Sequence, residues 1–414
     1  MGEPHRADPA RRVVVTGLGA VSACGWGIPA LERALHAGNT EIRPLQRFDT
    51  RGQRTQVGGE VPPVPEAIRR SFPDWRRLSW ADRFAVAAAA EAARGAALPA
   101  SLEALEAGVF FASSTGGMPE AERWLEQMLR DPAAARPGPL GSQQVSGPGD
   151  AVARRLRICG PVETVSSACA SGALALGAAL AALRRGEVEL ALAGGADALC
   201  QTTYAGFNAL RSVDEAPCRP FRGSRAGLSL GEGAGVLVLE TAASARRRGV
   251  PALGEVAGAG ASCDAYHMTA PLPDGAEAAG AARQALEDAG LTPAAVDFVN
   301  AHGTGTPHND AAEWSALRGV LGERAARVPV EATKALVGHL LGSAGALEAV
   351  VTVLGLRAGL VHPVPGDEAV DPDTPVHLVR GGPRPLPGAR AALSLNLAFG
   401  GANAAVVLTA WRGP

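Results

Sequence analysis

With 414 residues, 47% of them apolar, the chain is long enough to bury a large core and to form two or three domain-sized units. The formal net charge is −2 with both signs mixed along the sequence, which sets aside nucleic acid and an anionic membrane as main partners. The N-terminal MGEPHRADPARR carries no apolar signal core, and the apolar run near 174–183 stops at Arg184 and Arg185, well short of a membrane span, so a cytoplasmic protein is expected.

Short apolar runs alternate with helical patterns, the mark of a layered α/β architecture. RRVVVTGLG at 11–19 predicts a buried strand ending in a Gly turn, and GVFFASSTGG at 108–117 repeats the form. VSSACASGALALGAALAALRR at 165–185 predicts a helix of small residues that starts beside Cys169 and ends at Gly186. VELALAGGAD at 188–197 and GEGAGVLVLE at 231–240 read as strands, and AASARRRG at 242–249 as a short helix stopped by Gly249. From about 251 the alternation begins again with the strand EVAGAGASCD, the helix AEAAGAARQALEDAG, the strand VDFVNAHG and a helix around DAAEWSALRGVLG. The repeated rhythm suggests an internal duplication, with one half over 1–250 and the other over 251–414. The Pro/Gly-rich stretches 132–150 and 363–388 read as long loops within the body.

Six cysteines, at 24, 159, 169, 200, 218 and 263, form no C-x-x-C pair, which argues against a zinc ribbon, a redox pair or a disulfide framework. Cys169 at a helix start sits at the positive end of the macrodipole, where a thiolate is favoured and the pKa falls. The plainer reading is an inert buried cysteine. His302 stands where a buried strand ends and a Gly-flanked loop begins, the edge of an open α/β sheet at which ligands bind. His339 follows Gly338 and lies five residues from Lys334. Of 39 basic residues, Lys334 alone is Lys and the rest are Arg, which suggests a site that needs a compact ammonium. No H-E-x-x-H or acid-rich cluster appears, so no metal is expected. A thiolate and two neutral imidazoles suit thioester chemistry: the first holds an acyl group, and the others donate hydrogen bonds to a developing enolate oxygen.

SSACASG (166–172), NAHGTGTPHNDAAE (300–313), TKALVGHLLGSAGA (333–346) and LAFGGAN (397–403) resemble the motifs of β-ketoacyl-[acyl carrier protein] synthases, specifically their elongating branch. VVVTGLGAVSACG (13–25), FRGSRAGLSLGEGAGVLVLE (221–240) and DAYHMTAP (264–271) extend the match across nearly the whole chain. The resemblance implies the thiolase-like five-layered αβαβα fold made from two similar halves. It implies a decarboxylative condensation that lengthens a fatty acid or polyketide chain by two carbons. Cys169 would be the acyl-accepting nucleophile, and His302 and His339 the pair that stabilises the enolate of malonyl-carrier protein. The oxyanion hole would use the N–H groups of Cys169 and Phe399, with Phe399 also gating the cysteine.

The same resemblance puts Thr304 and Thr306 on the phosphopantetheine arm, Thr115 in the acyl pocket wall, and Glu313 near Lys334. Lys334 would orient the His339 ring and bias it toward the neutral form by like-charge repulsion. Arg76 and Arg77, in WRRLSWADRFAVAAA (75–89), would grip an acidic acyl carrier protein, while Trp80 stands where a further charge is common. The alternative for Trp80 is an exposed residue in an ordinary surface turn. The implied partners are acyl carrier protein and a second copy, or a related subunit, of this chain. No cofactor is implied beyond the phosphopantetheine arm that the carrier brings. Arg222 replaces an acid in R-P-F-D, and Ala398 and Ala402 replace Gly and Thr beside Phe399, where Ala398 would stiffen the gate. A cysteine hydrolase would leave the second histidine and the lysine idle, and a thiolase would need a cysteine after Cys263. The remaining alternative is a non-catalytic, chain-length-determining subunit, a class that shares the fold but usually lacks the nucleophile.

Overall fold

The computed structural model describes residues 12–413. β1 (Val13–Ser22) is buried along its whole length. It is flanked on one side by α1 (Trp80–Gly95), and its glycines let that helix touch the strand backbone: a Cβ at Gly19 would stand 1.9 Å from the Ala88 carbonyl oxygen. The first half continues with β2 (Ala107–Ala112), α2 (Gly147–Leu156), β3 (Val162–Val165), α3 (Ser171–Arg185), β4 (Leu190–Asp197) and β5 (Gly233–Thr241). The second half supplies β6 (Gly254–Cys263), α4 (Ala276–Asp288), β7 (Phe298–Asn300), α5 (Pro307–Leu321), β8 (Pro329–Glu331), α6 (Ala344–Ala358), β9 (His377–Leu378), β10 (Ala391–Leu397) and β11 (Ala402–Thr409).

The first five strands lie in the order β1-β5-β4-β2-β3, and the second set in the order β6-β11-β10-β7-β8, with β9 added at its edge. The two orders are the same, and so are the senses of pairing: two antiparallel contacts followed by two parallel ones in each set. β1 and β6 join the sets through Val14↔Glu255 and Val15↔Gly254. α3 and α6 pack against each other and against strands of both halves, so they form the middle of five layers. A Cβ at Gly172 would meet the Ala346 nitrogen at 2.5 Å, which shows how closely the two helices approach. α1 and α2 cover the outer face of one set, and α4, with α5 beside it, the outer face of the other. The apolar core divides accordingly into a central cluster drawn from both halves and an outer cluster under each helical cover.

Two expectations need correction. The stretch 132–150 is not all loop, because α2 begins at Gly147, with Pro148 in its first turn where the missing N–H costs nothing. The stretch 363–388 likewise holds β9 and the short strand Arg384–Pro385. Among the described residues one helical stretch, Leu341–Ala358, is apolar and long enough to cross a membrane, and 89% of it is buried inside the protein, between the two sets of strands.

Candidate active site

The chain leaves β3 and turns sharply into α3. Ala168 takes φ 45°, a left-handed conformation that L-residues avoid. Ser171 holds this elbow: its Oγ accepts the Ser167 N–H at 2.7 Å and donates to the Ala168 carbonyl at 2.6 Å. Cys169 thus sits just ahead of α3, 7% exposed, and α3 ends at Gly186 with φ 74° as the sequence requires. The expected fall in the thiol pKa is not what this setting produces. Burial pushes the Cys169 thiol up to about 11, against the opposing pull of the Lys334 charge and of the N–H groups of Phe399 and Cys169. Desolvation is the largest cause, because Cys169 is buried beside the His302, His339 and Phe399 side chains. The resting group is therefore the thiol.

His302 ends the segment that follows β7. Glu313 of α5 holds that segment by accepting the N–H groups of His302 at 2.6 Å and Gly303 at 2.8 Å. The His302 ring offers Nδ1 to Lys334 Nζ at 3.0 Å, and the His339 ring offers Nδ1 to the Leu341 N–H at 3.0 Å. An ammonium and an amide can only donate, so both Nδ1 atoms accept and both Nε2 atoms carry the proton. The two rings meet edge to face, 5.5 Å between centroids at 85°. Burial, then the Lys334 charge, holds both imidazoles well below the ordinary 6.5, so they are neutral donors at physiological pH. The sulfur and one nitrogen of each ring lie within 4.8 Å of one another.

A thiol and two imidazoles at this spacing resemble a zinc ligand set. The groups behind the rings do not fit a metal. A metal-bound histidine donates its second N–H to an acceptor, whereas both rings here face donors. Binding a cation through Nε2 would move each proton to Nδ1, against the Lys334 ammonium and the Leu341 N–H.

Lys334 is buried, 1% exposed, and donates to the His302 carbonyl at 2.6 Å and to Glu348 Oε1 at 2.5 Å. Two expectations change here. The ring that Lys334 touches is His302 rather than His339, and its acid partner is Glu348 of α6 rather than Glu313, which is committed to main-chain N–H groups. Glu348 also accepts from Asn396 Nδ2 at 2.7 Å. Neither Glu348 nor Asn396 is marked by a motif role in the sequence. The available signals were the lone acid in AGALEAVVTVLGLRA and the scarcity of Asn, six in the chain.

From the sulfur and the two rings a cavity of about 510 Å³ runs outward past Thr304 and Thr306, whose hydroxyls are 2.9 Å apart. Phe399 lines it and stacks on Phe207, centroids 5.5 Å apart at 21°. Ala398 has φ −119°, extended backbone open to any residue, so it does not stiffen this conformation; the left-handed positions are Gly400 at 84° and Gly401 at 82°. Thr115 is buried, with its hydroxyl turned onto Asp197 Oδ1 at 2.9 Å, and is not among the residues that line this cavity. Arg76 and Arg77 are exposed beside a surface groove shared with Arg69 and Arg70. Trp80 is not in a surface turn: it opens α1 behind the capping residue Ser79, with Arg47 and Arg83 guanidinium carbons 4.5 and 4.7 Å from its ring. Arg222 is buried and donates to the carbonyls of Glu368 and, at 2.9 Å, Gly366, so it pins the 365–368 loop where no acid could.

Residues 10–245 match the family model for the beta-ketoacyl synthase N-terminal domain, and residues 253–366 match that for its C-terminal domain. The chain is 36% identical over 402 residues to 3-oxoacyl-[acyl-carrier-protein] synthase 2 of Synechocystis sp., covering 95% of this chain and 96% of that protein. Among solved structures, the ishigamide ketosynthase/chain length factor aligns with a TM-score of 0.91 at 36% identity over 97% of this chain and 100% of that one. A type II PKS acyl-carrier protein in complex with its ketosynthase bound to the hexaketide gives 0.87 at 30% identity, over 97% of this chain and 100% of that one. A thiolase-like layered fold with a thiol between two imidazoles defines a condensing acyltransferase. The chain belongs to the beta-ketoacyl synthase family, and its reaction is the elongating, decarboxylative condensation.

Proposed function

We propose that this chain lengthens a fatty acid or polyketide by condensing malonyl-carrier protein with an acyl group held on Cys169. The observation that carries the assignment of roles is the pair of neutral rings, each with Nδ1 occupied as an acceptor, which leaves two Nε2–H donors beside one thiol. In the first step the Cys169 sulfur attacks the acyl thioester, the carbon–sulfur bond to the pantetheine breaks, and the thiol proton ends on the departing pantetheine sulfur. The N–H groups of Cys169 and Phe399 hold the oxyanion. In the second step malonyl-carrier protein loses carbon dioxide, and the electron pair of the broken bond passes into an enolate whose oxygen accepts from His302 and His339. The enolate carbon then attacks the acyl-Cys169 carbonyl, the carbon–sulfur bond breaks, and the Cys169 thiolate takes a proton from solvent.

Thr304 and Thr306 contact the phosphopantetheine arm along the cavity, and Arg76 and Arg77 meet the acidic carrier protein. No further cofactor takes part. The likeness to a ketosynthase solved with its acyl-carrier protein supports the carrier as substrate partner. The protein acts in the cytoplasm as a homodimer, with a related subunit as the other candidate partner. Intact-protein mass spectrometry after incubation with a panel of acyl-carrier proteins tests the central claim. The wild type is expected to gain one acyl mass and Cys169→Ala none; an adduct on Cys169→Ala would remove the nucleophile from this scheme.

A further inference from the structure

The turn after His339 is held in an unfavourable conformation, and what restrains it lies outside the catalytic motifs. Leu341 takes φ 52°, a left-handed conformation rare for a bulky residue. That conformation delivers the Leu341 N–H to His339 Nδ1 at 3.0 Å, the bond that keeps the proton on Nε2. Two residues on, the Ser343 N–H reaches Asp197 Oδ2 at 3.1 Å. Between them Gly342 presses on the same spot: a Cβ there would lie 2.7 Å from Ser114 Oγ and 3.0 Å from Asp197 Oδ2. Asp197 itself ends β4 and is fully buried. Its other oxygen, Oδ1, receives four donors: the Ser113 hydroxyl at 2.9 Å, the N–H groups of Ser114 and Thr115 at 2.8 Å each, and the Thr115 hydroxyl at 2.9 Å.

We infer that Asp197 is a positioning residue for condensation: it clamps the 341–343 turn, so that the Leu341 N–H holds the His339 ring with its donor proton toward the enolate. The carboxylate is suited to this because it accepts on both oxygens. An amide of the same shape would present two hydrogens to converging donors. The clamp also accounts for the Thr115 hydroxyl, which donates to Asp197. This inference rests on the proposed role of His339.

The test measures the two half-reactions separately in the full-length protein. Asp197→Asn is expected to slow malonyl decarboxylation and condensation by about 30-fold, part of the roughly 100- to 1,000-fold that loss of a whole donor produces, with acyl loading of Cys169 within about threefold of wild type. In 15N-histidine-labelled protein the variant should show a ring with its proton on Nδ1 that neither the wild type nor His339→Ala shows. Should Asp197→Asn fail to fold, Ser113→Ala removes one donor from Oδ1 and should give the same split at about three- to fivefold. Equal loss in both half-reactions, or decarboxylation at the wild-type rate, in whichever variant folds would overturn the clamp. His339→Ala serves as the control: wild-type decarboxylation there sinks the role of His339 itself, while a slow His339→Ala beside an unaffected Asp197 variant sinks the clamp alone.

Discussion

Lys334 makes three short contacts in a site closed to water, and each asks for a point donor: a carbonyl at 2.6 Å, a ring nitrogen at 3.0 Å and a carboxylate at 2.5 Å. A planar guanidinium cannot aim at all three from the same Cα. Lys334→Arg is therefore expected to keep the fold by circular dichroism and lose most condensing activity in a steady-state assay; full activity would make the residue incidental. Removing its partner is a different matter. Glu348→Ala leaves a buried ammonium without its counter-charge, a loss of about 3–5 kcal/mol that chemical denaturation would register. At the two rings, His302→Ala or His339→Ala should each cost roughly 3 kcal/mol of the decarboxylation barrier, the size seen when one oxyanion donor is deleted, while some acyl transfer to Cys169 survives. Wild-type decarboxylation in both variants would refute the pairing.

The elbow between β3 and α3 shows how an element places a residue. SSACASG supplies small side chains that fit the turn, a serine that bridges it from within, and a helix-forming run behind it. Ser171→Ala deletes both side-chain hydrogen bonds across the turn at Ala168, which should cost about 1–2 kcal/mol and slow Cys169 loading while leaving the histidines untouched. Unchanged loading kinetics in a folded Ser171→Ala variant would mean that α3 alone presents the thiol. The turn around Phe399 follows a similar logic, with its left-handed positions at Gly400 and Gly401 rather than at Ala398. The buried strand β1 was legible from its run of valines, but the Gly turn expected at 17–19 is absent: the strand passes through Gly17 and Gly19, with a bulge after Val15, and ends at Ser22. α2 was not legible, because Gly147, Pro148 and Gly149 also spell a loop, and it is packing against α1, β2 and β3 that selects a helix.

Across the protein, burial sets the titration of folding. Burial pushes Glu313 and Glu331 up to about 8 and Glu232 to about 7, so the folded state keeps protons that the unfolded chain releases above its ordinary carboxyl range. Their contribution is present at low pH and lost as pH rises through 7 to 8. His302 and His339 run the other way: with folded values well below 6.5, their contribution is present above 6.5 and lost as pH falls. Above about pH 7.5 the histidine contribution is complete, while the raised acids, and behind them the Cys24, Cys169, Cys200 and Cys218 thiols that desolvation also raises, weaken folding as pH rises. The Tm should therefore fall between about pH 7.5 and 8.5 in a thermal scan, and a flat or rising Tm would contradict the desolvation of these groups. The two-half rhythm and the motif positions of Cys169, His302 and His339 were legible in the chain, because strand periods, Gly stops and contiguous motifs are local signals. Which groups meet is set by long-range packing: Glu348 rather than Glu313 at Lys334, His302 rather than His339 on its ammonium, and Asp197 against a turn 146 positions away. Those pairings depend on how two stacked halves bring their central helices together, and desolvation there, which no local stretch encodes, reversed the expected direction of the Cys169 pKa.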